Sequence, residues 1–124
     1  MKTYEPGETG GPDGAATEKD RVRGDADLVR RLMAGDPAAA ARALALAPGR
    51  DDPALLVAAA VVSGDRVQLE RASLCARTAR DRQLVVLAAA HLRNDHELFS
   101  VLVREHLSEY PDHVLAAWIA AQHT

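Results

Sequence analysis

The sequence has one cysteine, Cys75, so no intrachain disulfide can form; a lone thiol suits a reducing compartment, read here as the cytoplasm. It has no surplus of positive charge. Fifteen Lys and Arg stand against 18 Asp and Glu, a formal net of −3, which argues against a dedicated nucleic-acid binder. It has no long apolar run: the longest, Ala54 to Val62, is too short to span a bilayer. No hydrophobic stretch follows Lys2, so no secretory signal is read. Aromatic residues are scarce, namely Tyr4, Phe99, Tyr110 and Trp118. There is no Gly-rich phosphate loop, no Gly-x-Ser-x-Gly and no paired-carboxylate arrangement. These absences leave no reaction named by motif. At 124 residues the chain is one domain in size.

What is present is alanine and arginine. Alanine occurs 25 times, and Arg outnumbers Lys 13 to 2, a bias that points to a GC-rich coding sequence. Residues 1–24 differ from the rest. They hold Gly7, Gly10, Gly11, Gly14 and Gly24 with Pro6 and Pro12, and their apolar residues are few. Such a segment cannot bury enough surface to offset the entropy of ordering it, so it reads as a disordered tail before a domain at 25–124.

From Asp25 onward the chain is punctuated. Asp36, Asp52, Asp65, Asp81, Asp95 and Asp112 each precede an apolar run of helical length. Pro37 and Pro53 sit at first helical positions, where the missing N–H costs nothing. An Asp there accepts from the free N–H groups of the first turn and suits the positive end of the helix dipole. Stops lie just upstream at Gly35, Pro48-Gly49, Gly64, Asn94 and Pro111. These marks predict seven helices, near 25–34, 37–47, 53–63, 66–79, 82–93, 96–109 and 113–123. No segment alternates with period two, so the fold is expected to be all-α.

The caps recur in pairs. Asp36 to Asp65 and Asp52 to Asp81 are each 29 residues; Asp65 to Asp95 is 30 and Asp81 to Asp112 is 31. A two-helix unit of about 30 residues, three times over with a seventh helix left, predicts stacked antiparallel hairpins in a short α-solenoid. Arg82 to Pro111 resembles the tetratricopeptide-repeat family. Asn94-Asp95 stands where that family has its Gly-Asp turn, Leu107 and Pro111 fall on its late Leu and terminal Pro, and Tyr110-Pro111-Asp112-His113 looks like its inter-repeat turn. Leu87, Phe99 and His106 stand where the family prefers small residues, and the period is about four residues shorter. The Thr-Pro-Leu-His signature of ankyrin repeats is absent.

The resemblance implies a concave groove lined by the first helix of each pair. Counting from the turns places Val29, Leu32 and Met33 there, then Ala58, Val61 and Val62, then Leu84, Ala88, His91 and Leu92. Family members that grip a peptide carboxylate carry Lys, Arg or Asn at such positions. This chain has no cation there, so the groove would be apolar and suit an amphipathic helix. In so short an array the same residues also read as plain core. The last helix is expected to pack through Val114, Trp118 and Ala121, flanked by Leu115 and Ile119. Ala116, Ala117 and Ala120 would then be left facing a partner or a second copy.

Other chemistry is thin. His91, His96, His106, His113 and His123 cluster in the last third. His96-Glu97 starts a zinc-protease-like pattern, but position 100 is Ser, and His91 and His96 do not share a helical face. They read as surface and capping histidines at helix ends. Cys75 reads as a small buried hydrophobe beside Ala72, Ala76 and Ala79. The expected function is therefore a non-catalytic protein-interaction or scaffold module, homodimeric or bound to another protein, with no cofactor, metal or membrane. A second reading is a small enzyme or redox sensor using Cys75, activated by Arg71, Arg77, Arg80 and Arg82, or using the histidines. A third is a nucleic-acid accessory protein using the arginines of a 66–82 helix.

Overall fold

A computed structural model describes residues 18–123. The described residues form seven α-helices and no strand: α1 Glu18–Met33, α2 Pro37–Leu46, α3 Pro53–Ser63, α4 Arg66–Cys75, α5 Ala79–Leu92, α6 His96–Glu109 and α7 Val114–Gln122, with a 3₁₀ turn at Ala47–Gly49.

Four of the six aspartates cap as expected. The side chains of Asp36, Asp52 and Asp65 accept from the N–H two residues on, at 3.0, 3.2 and 2.9 Å, and Asp95 accepts from that of Leu98 at 3.2 Å. Pro37 and Pro53 open their helices. Three helix-to-helix turns share a left-handed residue just before the capping aspartate: Gly35 at φ 92°, Gly64 at φ 76° and Asn94 at φ 57°. These conformations favour Gly and Asn and let the chain reverse in two residues. The turns join α1 to α2, α3 to α4 and α5 to α6 as antiparallel hairpins, the most extensively packed helix pairs in the molecule.

Asp81 and Asp112 are not caps. Asp81 lies inside α5, which starts three residues earlier because Thr78 captures its backbone N–H at 3.0 Å. Asp112 lies in the turn before α7, whose cap residue is His113. The register built on Asp52, Asp81 and Asp112 therefore fails, whereas the spacing of the Asp36, Asp65 and Asp95 turns stands. α1 also begins at Glu18, so 18–24 belong to a helix and not to the tail. Once a helix is nucleated each added residue gains a hydrogen bond, and Lys19, Asp20, Arg21 and Arg23 are exposed. The expectation of disorder over 1–17 lies outside the described residues.

α3 is the centre. It packs against α1, α2, α4, α5 and α7, and Leu55 to Ala60 are all fully buried. A helix apolar on every side needs such enclosure. Ten of the 23 buried apolar residues are alanines, which let the surrounding helices approach closely. α7 lies on α6 and reaches α5 and α3. It does so through Leu115, Ala116 and Ile119, which are buried, while Val114 is 64% exposed. The expected face of Val114, Trp118 and Ala121 is thus rotated outward, with Trp118 half-buried against the core and Ala121 exposed.

Candidate functional site

The residues expected to line a concave groove fall mostly in the core, which is the other reading of them in so short an array. Val29, Leu32, Ala58, Leu84 and Ala88 are buried core, and so is Ala116 of the expected partner face on α7. Met33, Val61, His91, Leu92 and Ala120 are half-buried, and only Val62 and Ala117 are exposed. The helices that open the other pairs, α1 and α5, and the last helix, α7, all pack on α3.

Exposed large apolar side chains are spread over the described residues, at Val22, Leu44, Val62, Val67, Leu74 and Val114 as well as on the α5–α6 hairpin. Val86 of α5 and Leu98 and Val101 of α6 are 48, 38 and 42% exposed. Between these helices runs an open groove of about 320 Å³. Val86 and Leu102 are its apolar lining, and Arg82, Gln83, Glu105 and Glu109 its polar lining. His106 also lines it. Leu74 on α4 is 86% exposed and stands apart from this groove.

The arginines of 66–82 do not share one helix, because α4 ends at Cys75 and α5 starts at Ala79. Arg71 is turned inward. Its guanidinium donates to the carbonyl oxygens of Ala47 and Arg50 and to Gln68, and so ties α4 to the turn after α2. Arg50 in turn pairs with the buried Asp25 of α1 at 3.2 Å. Arg66, Arg77, Arg80 and Arg82 are exposed. Cys75 is half-buried at the end of α4, its Sγ 3.9 Å from Oδ1 of Asp51.

The histidines stand at helix ends as expected, with His113 and His123 as the flanking caps of α7 and His96 exposed at the start of α6, but two of them are buried and all five are paired. His106 and His113 are buried, at 1 and 6% exposure, and touch Nε2 to Nδ1 at 2.7 Å. His106 Nδ1 meets Oε1 of Gln83 at 2.8 Å. Burial pushes His113 down to about 4, helped by the positive charge of Arg80 and by His106 and opposed by Asp81. His106 is lowered by burial and Arg80, with Glu109 opposing. At the other end of α7, His123 Nδ1 meets His91 Nδ1 and His123 Nε2 meets His96 Nδ1, each at 2.8 Å. The His123 ring stacks on Phe99 with centroids 4.0 Å apart. His91 and His123 are both lowered, first by burial and then by the neighbouring imidazole.

Sequence reasoning noticed the histidines but not their pairing. The one available signal was His106 itself, a large polar side chain at a helix position where the resembled family keeps a small one. No group of three or more His, Cys, Asp or Glu is placed to hold a metal among the described residues. His123 presents opposite ring nitrogens to its two neighbours, so the three rings are strung in a line and do not converge on a point. Among the described residues no helix is long and apolar enough to cross a membrane. Comparison of the chain with protein-family models, curated proteins and solved structures finds no match.

Proposed function

We propose that this chain is a non-catalytic protein-interaction module whose docking surface is the outer face of the α5–α6 hairpin. The observation that supports this reading is the groove lined by Val86 and Leu102, with Leu98 and Val101 also exposed on α6. A run of apolar side chains left in water between two helices, rimmed by charge, is the usual form of a contact surface. Two packed helices with an apolar lining between them accept the apolar stripe of a third helix. Glu105 and Glu109 of α6 favour basic residues on that side of the incoming helix, and Arg82 favours an acidic one opposite. The resemblance to the tetratricopeptide-repeat family supports the same class of function.

The partner helix is taken to belong to another protein, with self-association as the competing outcome. Sedimentation at micromolar concentration separates the two. A synthetic amphipathic helix with Lys or Arg along one flank should bind the wild-type chain and should lose binding to Val86→Glu, with the fold unchanged by circular dichroism. Equal binding to both proteins would overturn the reading. A dimer dispersed by Val86→Glu would keep the surface and replace the partner by a second copy.

A further inference from the structure

All five histidines meet at one helix. His113 at the start of α7 holds His106 of α6, which is held in turn by Gln83 of α5. His123 at the end of α7 holds His91 of α5 and His96 of α6. α7 itself, Val114–Gln122, contains no ionisable side chain. Its polar side-chain contacts to the rest of the domain, among the described residues, are these imidazole bonds. We propose that α7 is a proton-released lid, held closed by imidazole-to-imidazole hydrogen bonds at both ends and let go cooperatively in acid.

The reasoning is proton counting. Each nitrogen-to-nitrogen contact needs one hydrogen between the two rings, since one nitrogen must donate and the other accept. In the His91–His123–His96 chain two contacts hold one hydrogen each, and the two outer Nε2 atoms can each carry another. Three neutral rings already own three hydrogens. The chain therefore takes up one extra proton with its contacts intact; a second forces N–H against N–H and breaks one. In the buried pair, His106 Nδ1–H donates to Gln83, which leaves His106 Nε2 to accept from His113 Nδ1–H. One extra proton fits, on Nε2 of His113. Five rings thus carry at most two added protons while the lid is closed. Released into water they carry five at low pH.

The surrounding charges do not restore the balance. At the start of α7 the pair faces Arg80, Asp81 and Glu109, with the Tyr110 ring 5.1 Å from His106. Arg80 adds a fixed positive charge against any second proton. At the other end α7 offers no charge of its own. The adjacent turn carries Arg93, Asp95 and Glu97, and the Asp95 carboxylate is engaged as the cap of α6. Opening would uncover Leu115, Ala116 and Ile119 together with the core residues beneath them.

The uptake of at least three protons makes the opening equilibrium steep. Below about pH 5.5, where freed imidazoles are charged, it should shift thousandfold or more per pH unit. Amide hydrogen exchange on the full chain, corrected for the intrinsic pH dependence, reads this by segment. The expected result is that 114–122 loses protection at a higher pH than 53–63, with that slope. The triple variant His91→Gln, His96→Gln, His123→Gln keeps only the buried pair and should show a slope no steeper than about a hundredfold per pH unit. If the triple variant does not fold, the wild-type slope decides alone. Simultaneous loss of protection in both segments, no loss above pH 4.5, or a wild-type slope shallower than a thousandfold would each overturn the proposal.

Discussion

The two halves of the domain solve the same problem with different side chains. In residues 18–75 the polar ties between helices run through guanidinium groups: Arg50 to the buried Asp25, and Arg71 to the carbonyls of Ala47 and Arg50. In residues 79–123 they run mainly through imidazoles, with one longer bond from Gln83 to Glu109 at 3.4 Å. A guanidinium is charged at any pH that a folded protein meets, so its bonds are permanent. An imidazole changes charge between about pH 5 and 8, so its bonds are conditional. The cores beneath are both apolar and contain alanine, with Phe99 the one buried Phe, Tyr or Trp among the described residues, in the second half. The difference lies in which half can be loosened by the medium.

The largest test of that contrast is acid. His113 is held near 4 in the folded chain, below its ordinary value of about 6.5. A lowered histidine contributes stability that is present above its unfolded value and is lost as pH falls toward the folded one. Between about pH 6.5 and 4 this single residue withdraws about 3 kcal/mol. His91, His106 and His123 are shifted in the same direction and add to the loss. Urea unfolding followed at Trp118 should show the midpoint falling through this window. A midpoint that is flat from pH 7 to 5 would remove the distinction between the halves.

Arg71→Ala is the next in size. It removes a donor set that satisfies two backbone carbonyls, one of them on the buried Ala47, and should cost about 2 kcal/mol. The cost should be the same at pH 7.5 and 5.5, because no imidazole takes part. Measuring Arg71→Ala and His113→Gln at both pH values sharpens the comparison: the first difference should hold constant and the second should shrink in acid. A pH-dependent Arg71→Ala cost would mean that the two sets of ties are coupled through α3 or α5.

How much of this was legible in the sequence follows the same division. In the first half the caps Asp36, Asp52 and Asp65, reinforced by Pro37 and Pro53, place three helix starts correctly. Local chemistry decides there, and local chemistry is written in adjacent residues. In the second half the rotation of α7 was not legible. Val114-Leu115-Ala116-Ala117-Trp118-Ile119-Ala120-Ala121 is apolar on every side, so no stripe says which face turns inward. The rotation accompanies the attachment of its ends, His113 to His106 and His123 to His91 and His96, contacts between residues up to 32 apart in sequence. Register alone also left open whether Val29, Leu32, Ala58, Leu84 and Ala88 line a groove or fill the core, and they are buried. Position along a hairpin says which helix is first, but not how closely α1, α5 and α7 pack on α3.

The smallest expected effect concerns a pair of aspartates that look equivalent in sequence. Asp52 and Asp81 are 29 residues apart, each before an apolar run. Asp52 caps α3, and burial pushes its carboxyl above the usual range against the hydrogen bond from Ala54. Asp81 lies in the first turn of α5 behind the Thr78 cap. Asp52→Ala should cost about 1 kcal/mol and Thr78→Ala about the same, while Asp81→Ala should cost a few tenths, the worth of a carboxylate near a helix N-terminus. Asp52→Asn separates the cap from its charge. A raised carboxyl is destabilising as the anion, so stability is greatest below its unfolded value and falls as pH rises through the folded one. Asparagine caps as well as aspartate and carries no charge to desolvate. Asp52→Asn should therefore leave the urea midpoint at pH 7 unchanged or slightly raised. A loss as large as that of Asp52→Ala would show that the ionised carboxylate itself, and not its acceptor oxygen, holds the start of α3.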